Sequence, residues 1–170
     1  MAIFAPPLRQ TLQEFQAVET RVIGDGSRVR VSGIGVGLGI WRPWTPTYTN
    51  LTLGAGVVIA EFVRIGDTVR ARYGLVFASD TSIDGTDPGI SMPVTPHADY
   101  TTNDSIGTAR ILDSGTADHP ATVRIVSSKF NVQVHKVDAT YAVATAISAT
   151  VPMTFTTNDK ITFQATYEAA

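Results

Sequence analysis

Cysteine is absent from the chain, so neither disulfides nor thiolate metal sites contribute to its fold or chemistry. Charge is scarce as well. Asp, Glu, Lys and Arg supply 16% of the 170 residues and leave a formal net charge of −2. That balance gives no electrostatic footprint for nucleic acid or an anionic membrane, and neither is expected as a partner. No apolar run approaches the roughly 20 residues that span a bilayer. The opening "MAIFAPPLRQ" lacks the basic and long apolar regions of a secretory signal, which predicts synthesis in the cytosol without export.

Catalytic motifs are missing too. The three histidines, His97, His119 and His135, show no paired or HExxH spacing, so metal hydrolysis has no support. No serine sits in G-x-S-x-G. His135 is expected on the solvent face of a strand, and His97 and His119 in loops beside prolines. The expectation is a protein that is not an enzyme and needs no cofactor.

What the chain does have is an unusual glycine pattern. In "SGIGVGLGIW", Gly33, Gly35, Gly37 and Gly39 alternate with Ile34, Val36, Leu38 and Ile40. A dinucleotide fingerprint would need glycine where Leu38 or Ile40 stands, and a P-loop would need Lys-Ser/Thr where the chain reads Ile40-Trp41-Arg42-Pro43. Strict period-two alternation instead predicts a strand with apolar side chains on one face and bare backbone on the other. Such a thin strand suits close approach of a neighbour, from this chain or another subunit.

The residues before it form an expected N-terminal arm, helical or extended, within a first region 1–50. "LRQTLQEFQAVETRV" places Leu8, Leu12 and Phe15 at helical spacing over about four turns, ending before Gly24-Asp25-Gly26. A helix so short is marginal alone, so its apolar stripe must dock on its own domain, on copies of itself or on a larger assembly. Next comes the stiff connector "WRPWTPTYTN", which holds both tryptophans, Trp41 and Trp44. They suit an interface, or equally the bottom of a β-core.

From Leu51 to Ala170 the pattern predicts a mainly-β body, an antiparallel, jelly-roll-like β-sandwich of about nine strands. "GVVIAEFVRI" and "TVRARYGLVF" flank the hairpin signal Gly66-Asp67. Val69, Ala71, Tyr73, Leu75 and Phe77 are expected inside, with Thr68, Arg70 and Arg72 outside. "KFNVQVHKV" predicts Phe130, Val132 and Val134 inside, and Lys129, Asn131, Gln133 and His135 outside. "ITFQATYE" predicts burial of Ile161, Phe163, Ala165 and Tyr167. Further strands are expected in "GISMPV", "GTARILDS", "ATVRIVSS", "ATYAVATAIS" and "VPMTF".

One loop invites a metal reading. In "DTSIDGTDPG", Asp80, Ser82, Asp84 and Gly85 match the first half of a calcium loop. The match then fails, because Ser91 stands where a bidentate Glu belongs, and Asp and Gly are also ordinary turn residues. No metal site is therefore expected, with Asp80, Ser82 and Asp84 as a weak candidate. Arg64, Arg70 and Arg72 lie near one hairpin without interleaved aromatics on their face, a poor match to single-strand nucleic-acid binding.

The segment "WRPWTPTYTNLTLGAGVVIAEFVRIGDTVRARYGLVF" resembles virion proteins of tailed bacteriophages that infect actinobacteria. The "W-T-P-T" stretch, the glycine-flanked hairpin ending in Ile65-Gly66, the Met92-Pro93-Val94 stretch and the closing residues Asn158, Asp159, Ile161, Phe163 and Tyr167 carry the likeness, which spans roughly three quarters of the chain. The resemblance implies a virion structural protein, a capsid decoration or head-fibre module, made in the host cytoplasm and resident in the virion. It implies a homotrimer bound to the major capsid protein or another virion protein. Attachment and oligomer contacts would then fall on Leu8, Leu12, Phe15, Ile34, Val36, Leu38, Trp41 and Trp44. The alternative it implies is a tail-tip or minor tail protein that recognises a host-surface glycan.

Overall fold

The computed structural model describes residues 39–138 and 141–170, together with the backbone of two short upstream strands, Arg21–Val22 (β1) and Arg28–Val29 (β2), which pair antiparallel. The chain divides into two units, Met1–Ile40 and Trp41–Ala170. The second unit opens with three two-residue strands, Arg42–Pro43 (β3), Tyr48–Thr49 (β4) and Leu51–Thr52 (β5). The hairpin Val57–Ile65 (β6) and Thr68–Val76 (β7) follows, then the short Ser82–Ile83 (β8) and Gly89–Ser91 (β9). Ser105–Asp113 (β10), Ala117–Val126 (β11), Lys129–Asp138 (β12), Tyr141–Ala146 (β13) and Lys160–Glu168 (β14) complete it.

Ten of these strands form one antiparallel sheet in the order β3-β6-β7-β14-β10-β11-β12-β9-β4, with β13 also paired to β12. The C-terminal strand therefore lies in the middle, between β7 and β10. Its residues alternate exposed and buried without a break, and Ile161, Phe163, Ala165 and Tyr167 enter the core. The facing strands match it: Val69, Ala71, Tyr73 and Leu75 from β7, Val123 and Ile125 from β11, Phe130, Val132 and Val134 from β12. The fold is thus mainly β and antiparallel, as the alternation predicts.

Its two layers are halves of one curled sheet. In a flat sheet β14 and β12, three spacings apart, would be separated by about 14 Å. Yet the Phe130 ring centroid lies 5.1 Å from that of Phe163 and 5.8 Å from that of Tyr167. The sheet folds over and packs its inner face on itself. A bulge between Ser105 and Gly107 supports the bend in β10. Gly107 is required there, because a Cβ would stand 2.0 Å from the Gln164 carbonyl oxygen.

Several expectations are corrected. Residues 41–50, placed with the arm from sequence, pair with strands of the body. The arm's expected helical stripe lies outside the described residues, and no helix occurs among the described residues. "VPMTF" makes only a bridge from Val151 to Ser148 and is otherwise irregular. "GISMPV" is a strand only over Gly89–Ser91, and the Val94 backbone N–H and carbonyl are instead bonded to the Tyr167 hydroxyl. His119 lies within β11, opposite Ile111, rather than in a loop. Asn131 is on the outer face as expected, but only 4% exposed, because the loop before β9 lies over it and accepts its hydrogen bonds.

The hairpins differ in strain. Gly66 supplies the left-handed φ of 60° between β6 and β7 at no steric cost. Between β11 and β12, Ser127 and Ser128 carry φ of 50° and 56°, a loop that favours asparagine followed by glycine. The double substitution Ser127→Asn/Ser128→Gly should stabilise the fold by about 1 kcal/mol, raising Tm by about 2–4 °C in a chain of this size. A calorimetric Tm equal to that of the parent would show that this turn stores no strain.

Candidate functional site

The connector, residues 41–49, is paired to strands of the body at both of its ends. Pro43 and Pro46 fix their own φ and keep the segment extended. At its start, Arg42 and Pro43 pair with Phe62 and Glu61 of β6; at its end, Tyr48 and Thr49 pair with Ile90 and Gly89 of β9. These partners stand next to the two ends of the pairing order, so one segment supplies both of its terminal strands, while β13 forms a further edge beside β12. Trp44 donates its backbone N–H to Ala60 (3.0 Å) and its indole N–H to the Ser91 carbonyl (3.2 Å). Thr47 exchanges two more bonds with Ser91. The Trp44 ring lies 6.4–6.5 Å from Phe62, Tyr73 and Phe130.

The two tryptophans therefore do different things. Trp44 packs against the core. Trp41 sits on the outer side, with the Arg72 guanidinium 4.6 Å above its ring. Beside the connector is an open cleft of about 430 Å³, walled by Trp44, Pro46, Tyr48, Leu53, Val58 and Glu61. The Tyr73 hydroxyl donates to Tyr48 at 3.3 Å beneath it, and burial pushes both phenols above their ordinary range.

The outer face carries two kinds of surface. On β6, Val57, Ile59 and Ile65 are 63%, 61% and 47% exposed, so apolar groups collect on one outer strand. The register next to them builds a polar row. Glu61, Arg72, Gln164, Thr108, Thr122 and Gln133 are successive cross-strand neighbours from β6 through β7, β14, β10 and β11 to β12. No alternation pattern in a single strand reveals such a row, because it depends on register.

The Asp80–Asp87 loop works as a set of turn fasteners. Asp80 accepts from the Ala55 N–H at 2.8 Å. Asp84 accepts from the Ser82 and Thr52 hydroxyls, both at 2.5 Å, and these bonds hold its carboxyl below the usual carboxylate range. Asp80 and Asp84 thus serve different turns. No group of three or more His, Cys, Asp or Glu placed to hold a metal occurs among the described residues. Asp87 reaches across the sheet: its Oδ2 accepts from Arg124 at 2.7 Å, and Arg124 also bonds Asn103. Asn131, opposite Arg124 in the register, donates to the carbonyls of Asp87 and Pro88. Asp87 Oδ1, Arg124 Nε and Asn131 Oδ1 are buried in this cluster without protein partners.

Of the remaining candidates, Leu8, Leu12, Phe15, Ile34, Val36 and Leu38 lie outside the described residues. His97 stands beside Asp99 in an exposed loop, and His135 is exposed on β12. No helix among the described residues is long and apolar enough to cross a membrane. No known protein family, curated protein or solved structure matches the chain.

Two outcomes follow from the polar contacts. Removing Arg124 leaves the Asp87 carboxylate of the covering loop without its cation, so Arg124→Met should cost about 3 kcal/mol, the low end for a broken buried pair because Asp87 retains some exposure. Adding Asp87→Asn should recover part of that loss in chemical denaturation, and a purely additive pair of losses would refute the coupling. Separately, Ser82→Ala should move the Asp84 carboxyl titration upward, read by NMR. Its hydrogen bonds stabilise the charged form, so their contribution is present above the ordinary value of 3.8 and fades as pH falls through the lowered one.

Proposed function

We propose that this chain is a structural protein of a bacteriophage virion, a capsid decoration or head-fibre module that assembles as a homotrimer and is held on the shell through its N-terminal arm. The sequence resemblance described above supports the virion context. The structural observation that carries the reading is the concentration of exposed Val57, Ile59 and Ile65 on a single outer strand of a lightly charged body. Such a patch suits contact between protein subunits. The body supplies its own core and both of its sheet ends are held by the connector, so it suits repetitive presentation on a particle. In this reading Leu8, Leu12 and Phe15 dock on the shell, while Ile34, Val36, Leu38 and Trp41 lie near the subunit contacts.

The test separates attachment from folding. A chain lacking residues 1–38 should remain soluble and melt cooperatively, because among the described residues every buried core residue lies at or beyond Leu51. It should no longer bind particles assembled without the protein, whereas the full chain should bind in hundreds of copies per particle, which is about the stoichiometry a decorated shell requires. Undiminished occupancy by the truncated chain would place attachment in the body. A handful of copies at one vertex would give the protein a tail address instead.

A further inference from the structure

Where the loop 86–88 lies over the sheet, Asp87, Arg124 and Asn131 enclose bonding groups that they do not satisfy among themselves. Arg124 gives Nη2 to Asp87 Oδ2 at 2.7 Å and Nη1 to Asn103 Oδ1. Its Nε–H is buried with no acceptor among the described residues, and Asp87 Oδ1, the other oxygen of the same carboxylate, is buried with no donor. These two groups flank one and the same Arg124–Asp87 bond. The third belongs to Asn131, the cross-strand partner of Arg124. Its Nδ2 donates to the Asp87 carbonyl at 3.0 Å and to the Pro88 carbonyl at 3.3 Å, which fixes the amide orientation and turns Oδ1 away from them. Asn131 is 4% exposed, and its Oδ1 also meets no donor among the described residues. The loop is pinned from its other side: Thr86 bridges Ser148, its carbonyl accepts from Asn50, and the Asp87 N–H donates to Ile147.

The chemistry of these groups selects what they bind. One N–H donor and two oxygen acceptors remain, all buried from solvent. A metal cation or an ammonium ion would serve the two oxygens, but it would stand against the Arg124 guanidinium and leave Nε–H unmet. An anion would serve Nε–H, but it would stand against the Asp87 carboxylate and leave Asn131 Oδ1 unmet. Closing the Arg124 Nε–H directly onto Asp87 Oδ1 would complete a two-bond fork, yet Asn131 Oδ1 would still lack a donor. Water fits the whole set. It accepts from Nε–H and donates its two hydrogens to Asp87 Oδ1 and Asn131 Oδ1, adding no charge. We infer that Arg124 Nε, Asp87 Oδ1 and Asn131 Oδ1 form a binding site for a single internal water molecule, which bonds the loop 86–88 to β11 and β12. The site serves the fold of the body and is independent of any role on a particle.

Nuclear magnetic resonance of the full chain tests the site through the Arg124 Nε–H. That proton should exchange slowly with solvent and show a cross-peak to water, with the sign of a molecule bound for longer than the protein tumbles. Magnetic relaxation dispersion of the water oxygen then counts the long-lived waters. Arg124→Lys keeps a cation beside Asp87 but has no Nε–H, so the count should fall by one. An unchanged count in the folded lysine variant would overturn the proposal, because any long-lived water would then sit elsewhere. A water cross-peak with the opposite sign, that of transient surface hydration, would overturn it too. So would an Nε–H that shows no water cross-peak and is coupled across a hydrogen bond to the Asp87 carboxylate, which is the direct fork. The cross-peak is read on the parent chain, so the test stands even where the lysine variant does not fold.

Discussion

Trp44 gives its backbone N–H to Ala60 on β6 and its indole N–H to Ser91 of β9, and its ring fills the space between Phe62, Tyr73 and Phe130. One residue is thus bonded to strands at opposite ends of the pairing order and packed on the strands between them. A sheet of this length has two liabilities, an open edge at each end and an inner face too broad to cover with turns. Curling solves the second by packing the sheet on itself. The connector addresses part of the first, because its two halves add a short strand to β6 and to β9. The prolines at 43 and 46 contribute by holding the segment extended between them. The C-terminal strand depends on the same closure: as the central strand it buries every second residue against walls that exist only when the sheet is curled.

Residues 44–47, 92–94 and 158–167 sit at these structural joints. Trp44 to Thr47 is the clasp. Val94 is bonded through both backbone groups to the Tyr167 hydroxyl, and burial raises that phenol to about 12. Asp159, fully buried, accepts from the backbone N–H groups of Ser114 and Thr156, so one carboxylate ties the turn before β14 to the β10–β11 loop. Three separated stretches of sequence are therefore joined by single polar side chains in an apolar interior, where an unmade hydrogen bond is expensive.

Local pattern made the long strands legible. Period-two alternation places Val69 through Phe77, Phe130 through Val134 and Ile161 through Tyr167 on the correct face, since a one-residue slip would expose the whole set. Features that depend on distant pairing were not legible. Asn131 alternates like a solvent-facing residue and is buried only because the loop carrying Asp87 covers it. Residues 41–50 look like a linker because two prolines interrupt them, and their strand character comes from partners more than ten residues away. "VPMTF" has strand composition but finds no partner beyond one bridge. The candidate surfaces follow the same division. Trp41 and Trp44 stand out by residue type, yet their opposite placement is set by register, and the polar row across six strands is visible only once the strands are aligned.

That register also relates the two outer surfaces to each other. Ile59 is the neighbour of Gly74, and Glu61 the neighbour of Arg72, so the polar row begins on β6 itself, among its exposed apolar residues. The Glu61–Arg72 ion pair joins β6 to β7 there. An exposed pair of this kind contributes little to stability, so its position matters more than its strength. It draws Arg72 towards β6 and over Trp41, leaving Gln164 and Thr108 as the next groups along the row. Glu61 lies between Ile59 and Ile65 on the same face of β6, so a surface packed on Val57, Ile59 and Ile65 would cover the ion pair as well. Gln164, Thr108, Thr122 and Gln133, on the strands beyond, would lie outside that contact.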